Sequence, residues 1–135
     1  MLERIAPVAL RWALGATLLS AVADRFGLWG PPGAVNVSWG NWSRFVDYTA
    51  KVNGFLPAAL APGLSVLATA AETALGLAFL FGVWPRPVAW ASCGLFTLFA
   101  LAMTLSFGVK APLNFSVFVD AAAALLLAAW PAKLA

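Results

Sequence analysis

The stretch "LATAAETALGLAFLFG", residues 67–82, decides the fold. It contains a single charged residue, Glu72, within sixteen positions. A helix that crosses the hydrocarbon core of a bilayer needs about 20 mostly apolar residues, so this run matches most of a membrane span. A charged side chain at the centre of a span costs about 2.5 to 3.5 kcal/mol on insertion scales. Glu72 is therefore expected to face the interior of a helix bundle and to find a partner there.

The composition of the whole chain indicates a membrane protein. Of the 135 residues, 63% are hydrophobic and 10% are charged. Soluble domains are roughly half apolar and about a quarter charged. A soluble domain of this length would need more polar side chains than this chain has to cover its surface.

The gaps between charges predict four membrane spans. Prolines that suit a first helical turn, Pro62, Pro87 and Pro112, open three of them, and glycines that suit a helix end, Gly82 and Gly108, follow two. Because strands would leave unpaired edges in lipid, we predict an all-α integral membrane protein. It is an antiparallel four-transmembrane-helix bundle in one domain, residues 1–135, with spans at residues 5–23, 62–81, 87–107 and 112–130.

The first span resembles a secretory signal, because Ala21, Val22 and Ala23 form a small-residue cleavage pattern after an apolar segment. We expect it to be a retained helix. Orientation rests on the positive-inside rule, and Arg4, Arg11 and Arg86 favour termini in the cytoplasm.

The long first loop, residues 24–61, contains two kinds of sequence. Its first part is rich in Gly, Pro and Asn and predicts turns. Its second part, "NWSRFVDYTAKV", predicts a short helix capped by Asn41. Trp29, Trp39, Trp42 and Tyr48 lie within twenty residues of one another. These rings either anchor an interfacial helix to lipid headgroups or form the roof of a pocket.

Three ionisable residues are predicted to share one central layer. Counted from the end of each span at the long loop, Glu72 lies at a depth of about 15 Å, Asp120 at about 12 Å and Arg11 at about 20 Å. We therefore expect Arg11 to pair with Glu72, with Asp120 or with both. This buried polar layer is either a structural ion pair or part of a site.

The residue types that are missing restrict the chemistry. The chain has no histidine and one cysteine, Cys93. An intrachain disulfide is therefore excluded, the usual haem and zinc ligands are absent, and we expect no metal site. No nucleotide-binding fingerprint is present, and the scattered basic residues suit membrane topology rather than nucleic acid. We do not expect a self-contained enzyme, and no cofactor is evident.

Several segments resemble the DoxX family of small bacterial membrane proteins. These are "RWALGATLLSAVADRFGLWG" from Arg11, the run "LGLAFLFGVWPRPVAW" after Glu72, and "LSFGVKAPLNFSVF" before the last span. The resemblance implies a four-helix protein of the bacterial inner membrane. It also implies polar site residues at Arg11, Glu72, Asp24 and Arg25, with Lys110 and Asn114 as further candidates. Some members are linked to quinone-dependent oxidation, others to thiol balance or to the maturation of partner proteins.

Two main functions follow from these observations. The first is a non-catalytic accessory or assembly subunit of a membrane complex, which would bind a protein partner or a second copy. The resemblance links such a complex to redox chemistry. The second is a quinone-linked oxidoreductase subunit or quinone-binding protein. In that case Trp29, Trp39 and Trp42 would pack the ring while Glu72 or Asp120 carries a proton. Transport is a third hypothesis and would need an oligomer.

Overall fold

A computed structural model describes residues 1–131, and within them the chain is helical and contains no strand. A 3-10 turn at Ala58–Leu60 leads directly into the third helix. The six α-helices are α1 (Leu2–Arg25), α2 (Trp42–Val52), α3 (Ala61–Phe81), α4 (Pro85–Phe107), α5 (Lys110–Asn114) and α6 (Val117–Ala129).

Local sequence explains where several helices begin and end. The side chain of Asn41 caps α2 by accepting a 2.9 Å hydrogen bond from the backbone N–H of Arg44, as predicted. Gly82 ends α3 in the left-handed conformation (φ 69°), which a glycine adopts without steric cost. The chain then turns sharply at Trp84 and enters α4 at Pro85, two residues earlier than the sequence predicts.

Three of these segments are long and apolar enough to cross a membrane: Leu2–Arg25, Ala58–Phe81 and Pro85–Phe107. They correspond to the first three predicted spans. Tryptophans lie near both ends of the helices, with Trp29 beyond α1 and Trp84 in the turn before α4. Such a distribution is typical of aromatic belts at membrane interfaces.

The predicted fourth span, residues 112–130, is not one continuous helix. The chain forms the five-residue α5, breaks at Ser116 (φ 58°), and continues as the thirteen-residue α6. A helix of that length covers about 20 Å, which is shorter than a hydrocarbon core of about 30 Å. The predicted span concealed this break, because residues 112–130 contain only one charged residue, Asp120, and so meet the charge criterion for a span.

The long helices associate as two pairs, α1 with α3 and α4 with α6. Contacts between the pairs are fewer, although α3 and α4 are joined by a tight turn. Helix α2 contacts both α3 and α4 at the opposite end of the bundle. The two pairs therefore separate toward the end that carries the long loop, and α2 covers the space between them.

Candidate functional site

A cleft of about 1450 Å³ lies between α3 and α4 beneath α2. Its walls are mostly aliphatic and aromatic, and most of its polar side chains lie on the loop segment and α2 that cover it, with Glu72 and Asp120 on α3 and α6. The large side chains Leu67 and Leu98 line it and are 68% and 65% exposed, so the cleft opens sideways between the two helices. Its lining includes Arg25, Trp39, Phe45, Tyr48, Ala71, Glu72, Phe96, Phe99 and Asp120.

The buried partner of Glu72 is Arg25. An Nη atom of Arg25 lies 2.5 Å from a carboxylate oxygen of Glu72, and both side chains are almost completely buried. A second Nη donates a 2.8 Å hydrogen bond to the hydroxyl of Thr69, one turn earlier on α3. The guanidinium thus ties the last residue of α1 to the middle of α3.

The predicted pairing of Arg11 with Glu72 is wrong. Arg11 lies near the other end of α3, where its guanidinium packs against Gly82. A Cβ added at Gly82 would come within 2.9 Å of that guanidinium. Arg11 is therefore not part of the central layer, and its side chain extends along the end of the helix pair.

The error came from the assumed register of the two helices. Gly15 faces Gly76, because a Cβ on Gly15 would lie 3.0 Å from the carbonyl oxygen of Gly76. Gly15 is ten residues from the end of α1, whereas Gly76 is fifteen residues from the start of α3. The start of α3 therefore extends about 7.5 Å beyond the end of α1 on the loop side of the bundle. This offset moves Arg11 farther from the level of Glu72 and brings Arg25 closer to that level.

Aromatic rings cover the ion pair on the side of the long loop. The guanidinium carbon of Arg25 lies 3.8 Å from the ring centre of Phe45 and 5.4 Å from that of Trp39. Trp39 in turn contacts Phe45 edge-on at 5.0 Å and Tyr48 at 5.5 Å. Trp39 therefore belongs to the roof of the cleft, and the cation over the rings adds attraction in a site shielded from water.

Asp24, the neighbour of Arg25, holds the long loop in place. Its carboxylate accepts hydrogen bonds from the backbone N–H groups of Ser38 (2.8 Å), Trp39 (2.8 Å) and Gly40 (3.0 Å). Gly40 has a positive φ of 80°, and a Cβ there would lie 2.4 Å from the backbone of Pro32. Only glycine fits this crossing, which places Trp39 over the cleft.

Asp120 lines the cleft, and its carboxylate makes no hydrogen bond or ion pair with any residue of the described range 1–131, although its backbone N–H donates to the carbonyl of Ser116. It lies in the first turn of α6, not eight residues into a span as predicted. An Arg86 Nη donates a 2.8 Å hydrogen bond to the carbonyl of Trp130, which holds the start of α4 beside the end of α6. Asp120 is ten residues from Trp130, about 15 Å along the helix. Glu72 is likewise ten residues from Gly82 at that end of the bundle, so the two carboxyl groups are expected at similar depth, without Arg11.

The other predicted site residues lie outside the cleft. Trp29 is 62% exposed, and its indole N–H lies 3.1 Å from both the carbonyl and the hydroxyl oxygen of Ser20. Trp42 stacks on Phe26 with ring centres 5.6 Å apart. Lys110 donates a 3.3 Å hydrogen bond to the side chain of Asn114 at the surface of α5.

Sequence reasoning missed the aromatic residues that shape the cleft, Phe45, Phe96 and Phe99. Phe45 follows a helical pattern that marks it as buried, but nothing in the pattern indicates that it covers a cation. The two phenylalanines of α4 lie in an apolar run in which every position suits lipid or core. A signal for Arg25 was available, because an arginine at the last position of an apolar helix can turn its side chain back toward the bundle.

No family model, curated protein or solved structure matches the chain. The resemblance to the DoxX family therefore stays a prediction, and the cleft is the observation from which a function can be argued.

Proposed function

We propose that the chain is an integral membrane protein in which the broken segment α5–α6 completes a fourth crossing beside the three long helices. We further propose that it binds a lipid-soluble small molecule with a polar ring, such as a quinone, in the cleft between α3 and α4. The cleft carries this proposal. Its volume of about 1450 Å³ and its mostly apolar walls suit a ligand with a hydrocarbon tail. Its sideways opening between two apolar helices would admit such a ligand directly from the bilayer.

The polar groups in the cleft support a ligand with a polar head rather than a plain hydrocarbon. Asp120 faces the cleft without a partner among residues 1–131, and an unpaired carboxyl group in an apolar space is costly unless something hydrogen-bonds to it. Phe96 and Phe99 supply flat apolar surfaces on the α4 side. A ring that carries carbonyl or hydroxyl groups would contact both, with the ring against Phe99 and a polar substituent at Asp120.

The Arg25–Glu72 pair has a different role in this proposal. Each charge is already matched by the other, and Arg25 also holds Thr69. The pair therefore shapes the end of the cleft and is not its reactive group. We accordingly assign ligand contact to Asp120, and we assign to Glu72 the positioning of Arg25 beneath Trp39 and Phe45.

An accessory subunit of a membrane complex is the second candidate. The observation that favours it is the ion pair itself, since buried charges that satisfy each other can fix the register of two helices without any ligand. A stable protein partner or a second copy of the chain would then cover the exposed helix faces. In either case we propose the bacterial inner membrane, with both termini in the cytoplasm, in line with the resemblance to the DoxX family.

Native mass spectrometry from lipid nanodiscs tests the proposal with decylubiquinone as the probe. The wild-type chain is expected to retain one molecule. Ala71 lines the cleft, so Ala71→Phe should place a ring in it beside Glu72 and weaken retention by at least about tenfold, equivalent to about 1.4 kcal/mol. Ala70, the preceding residue on α3, is exposed and lies outside the cleft, so Ala70→Phe is the matched control and should bind as the wild type does.

Equal retention by Ala71→Phe and Ala70→Phe would contradict binding in the cleft. Retention of a phospholipid in place of the quinone would identify the cleft as a lipid site. A stoichiometric protein that leaves with the chain, together with no bound small molecule, would favour the accessory subunit.

A further inference from the structure

A second cavity of about 650 Å³ lies on the other side of Trp39, between α1 and the long loop. We call it the vestibule. Its wall is more polar than that of the cleft and includes the polar side chains of Thr17, Ser20, Asp24, Asn36 and Ser38. Trp29 closes part of its outer side through the contact of its indole with Ser20.

The vestibule and the cleft adjoin each other. Thr17, Ala21, Ser38 and Trp39 line both cavities. Two of these residues are on α1 and two are on the loop segment that Asp24 holds by its backbone N–H groups. The vestibule therefore shares a wall, formed by these four residues, with the cleft that contains Asp120 and Glu72.

Hydroxyl groups elsewhere on the long helices show how such groups are satisfied in an apolar environment. The side chains of Ser65, Thr73, Thr97 and Thr104 each donate to the carbonyl four residues earlier, at 2.7 Å. A hydroxyl that faces lipid has no better partner than its own helix.

Thr17 and Ser20 behave differently. Within residues 1–131 neither hydroxyl donates to a carbonyl of α1, and Ser20 only accepts from Trp29. Thr17 is eight residues before the end of α1, so it lies about 12 Å below the loop end of the bundle. Ser92 on α4 also lacks a partner, but it is completely buried, whereas Thr17 and Ser20 are exposed and line a cavity with room for several water molecules. Exposed hydroxyl donors at that depth that do not bond to their own helix indicate an aqueous environment.

We infer that the vestibule is a water-filled entrance, through which water and small water-soluble solutes reach the roof of the cleft at Trp39 from the loop side. The cleft thus has two approaches of opposite polarity: a lateral one for a lipid-soluble ligand, and this one for water. The inference rests on the proposed function for its membrane placement and for the ligand that the vestibule would serve. Independently of the ligand, we infer that one face of α1 is in contact with water well below the membrane interface.

Cysteine accessibility in nanodiscs tests the inference without any ligand. In a Cys93→Ser background, Thr17→Cys places a thiol at the wall that the vestibule shares with the cleft, and Ser20→Cys places one in the vestibule alone. Ala16→Cys places a thiol at the depth of Thr17 on an exposed face of α1 outside both cavities. Ser43→Cys, on the exposed side of α2, gives the rate of a fully hydrated thiol. The readout is the rate of modification by a small cationic, membrane-impermeant methanethiosulfonate.

We expect Thr17→Cys to react at a rate within about tenfold of Ser43→Cys and at least about tenfold faster than Ala16→Cys, because the reactive thiolate forms in water and not in hydrocarbon. Ser20→Cys, a second vestibule position, should follow Thr17→Cys and provides the test if that variant misfolds. Slow reaction at both vestibule positions, equal to that of Ala16→Cys, overturns the inference and leaves the proposed function standing. Fast reaction at Ala16→Cys would instead place α1 outside lipid and contradict the proposed membrane placement.

Discussion

The two sides of α3 differ sharply in how closely they approach their neighbours. On one side α3 meets α1 at Gly15 and Gly76, where a Cβ on Gly76 would lie 2.8 Å from Leu19. On the other side α3 and α4 diverge, and the space between them is the cleft. The same helix is therefore a tight packing surface on one face and a wall of a cavity on the other.

Residue size and the position of α2 account for this difference. Glycines on both helices allow the backbones of α1 and α3 to approach closely, as small residues do at membrane helix interfaces. Across the cleft, α4 presents Phe96 and Phe99, and Phe45 of α2 extends between the two helices. Helices α1 and α3, which the Arg25–Glu72 ion pair joins, are thus closely packed. The cleft lies between α3 and α4, where bulky aromatic rings keep the helices apart.

The largest expected effect is on the Arg25–Glu72 ion pair that joins α1 and α3. Arg25→Met should destabilise the bundle by about 3 to 5 kcal/mol, because it leaves the buried Glu72 without its partner. Unfolding of the detergent-solubilised protein in increasing SDS, followed by circular dichroism, measures the loss. The double variant Arg25→Met/Glu72→Leu should recover much of the stability, and a double variant as unstable as the single one would mean that the pair is not the cause.

A smaller loss is expected where the two helices touch. Gly76→Val should cost about 1 to 3 kcal/mol, since the added side chain must displace Leu19 and the backbone of α1. Gly94, on α4, has open space around its Cα, and Gly94→Val is the matched control, with an expected change within about 0.5 kcal/mol. The same unfolding assay applies. If the two variants lose equal stability, helix propensity and not close packing explains both.

The loop segment that covers the cleft can be released from Asp24 without removing the Arg25–Glu72 ion pair. Asp24→Ala removes the acceptor of three loop N–H groups and should cost about 1 to 2 kcal/mol, because those groups partly regain water. Hydrogen exchange at Ser38, Trp39 and Gly40 should speed up while exchange in the centre of α3 stays slow. Asp47→Ala, at an exposed aspartate of α2, is the control and should leave the loop protected.

The smallest effect concerns the roof. Burial raises the pKa of Tyr48 above the ordinary value for a tyrosine, and Tyr48 is the one tyrosine of the chain. Its phenolate absorbance should therefore appear at higher pH in the folded protein than after unfolding. Because the folded state binds this proton more tightly, its contribution to stability is intact below the unfolded pKa and is lost as the pH rises through the folded one.

Trp39→Ala should shift this titration back toward the ordinary value, since the indole lies 5.5 Å from the Tyr48 ring. An unchanged titration curve would mean that Trp39 does not shield the roof of the cleft.

Part of the site could be predicted from the sequence. An isolated Glu72 in an apolar run demands a partner, and the structure provides one. The identity of that partner could not be predicted, because depth counted from helix ends assumes that neighbouring helices start at one level. An offset of five residues between α1 and α3 was enough to exchange Arg11 for Arg25. The break at Ser116 was equally hidden, since hydropathy does not distinguish a continuous helix from two short ones.

The sequence by itself determined the helical class, the three long apolar helices, the capped α2 and the need to neutralise Glu72, because these follow from local composition, spacing and the cost of a bare charge in an apolar setting. Only the tertiary structure decided which cation meets Glu72, that Asp24 ties the loop, and that a cleft and a vestibule adjoin at Trp39. Those features depend on the register between helices and on the path of a loop. Both are set by the contacts of residues far apart in the chain, which no local pattern records.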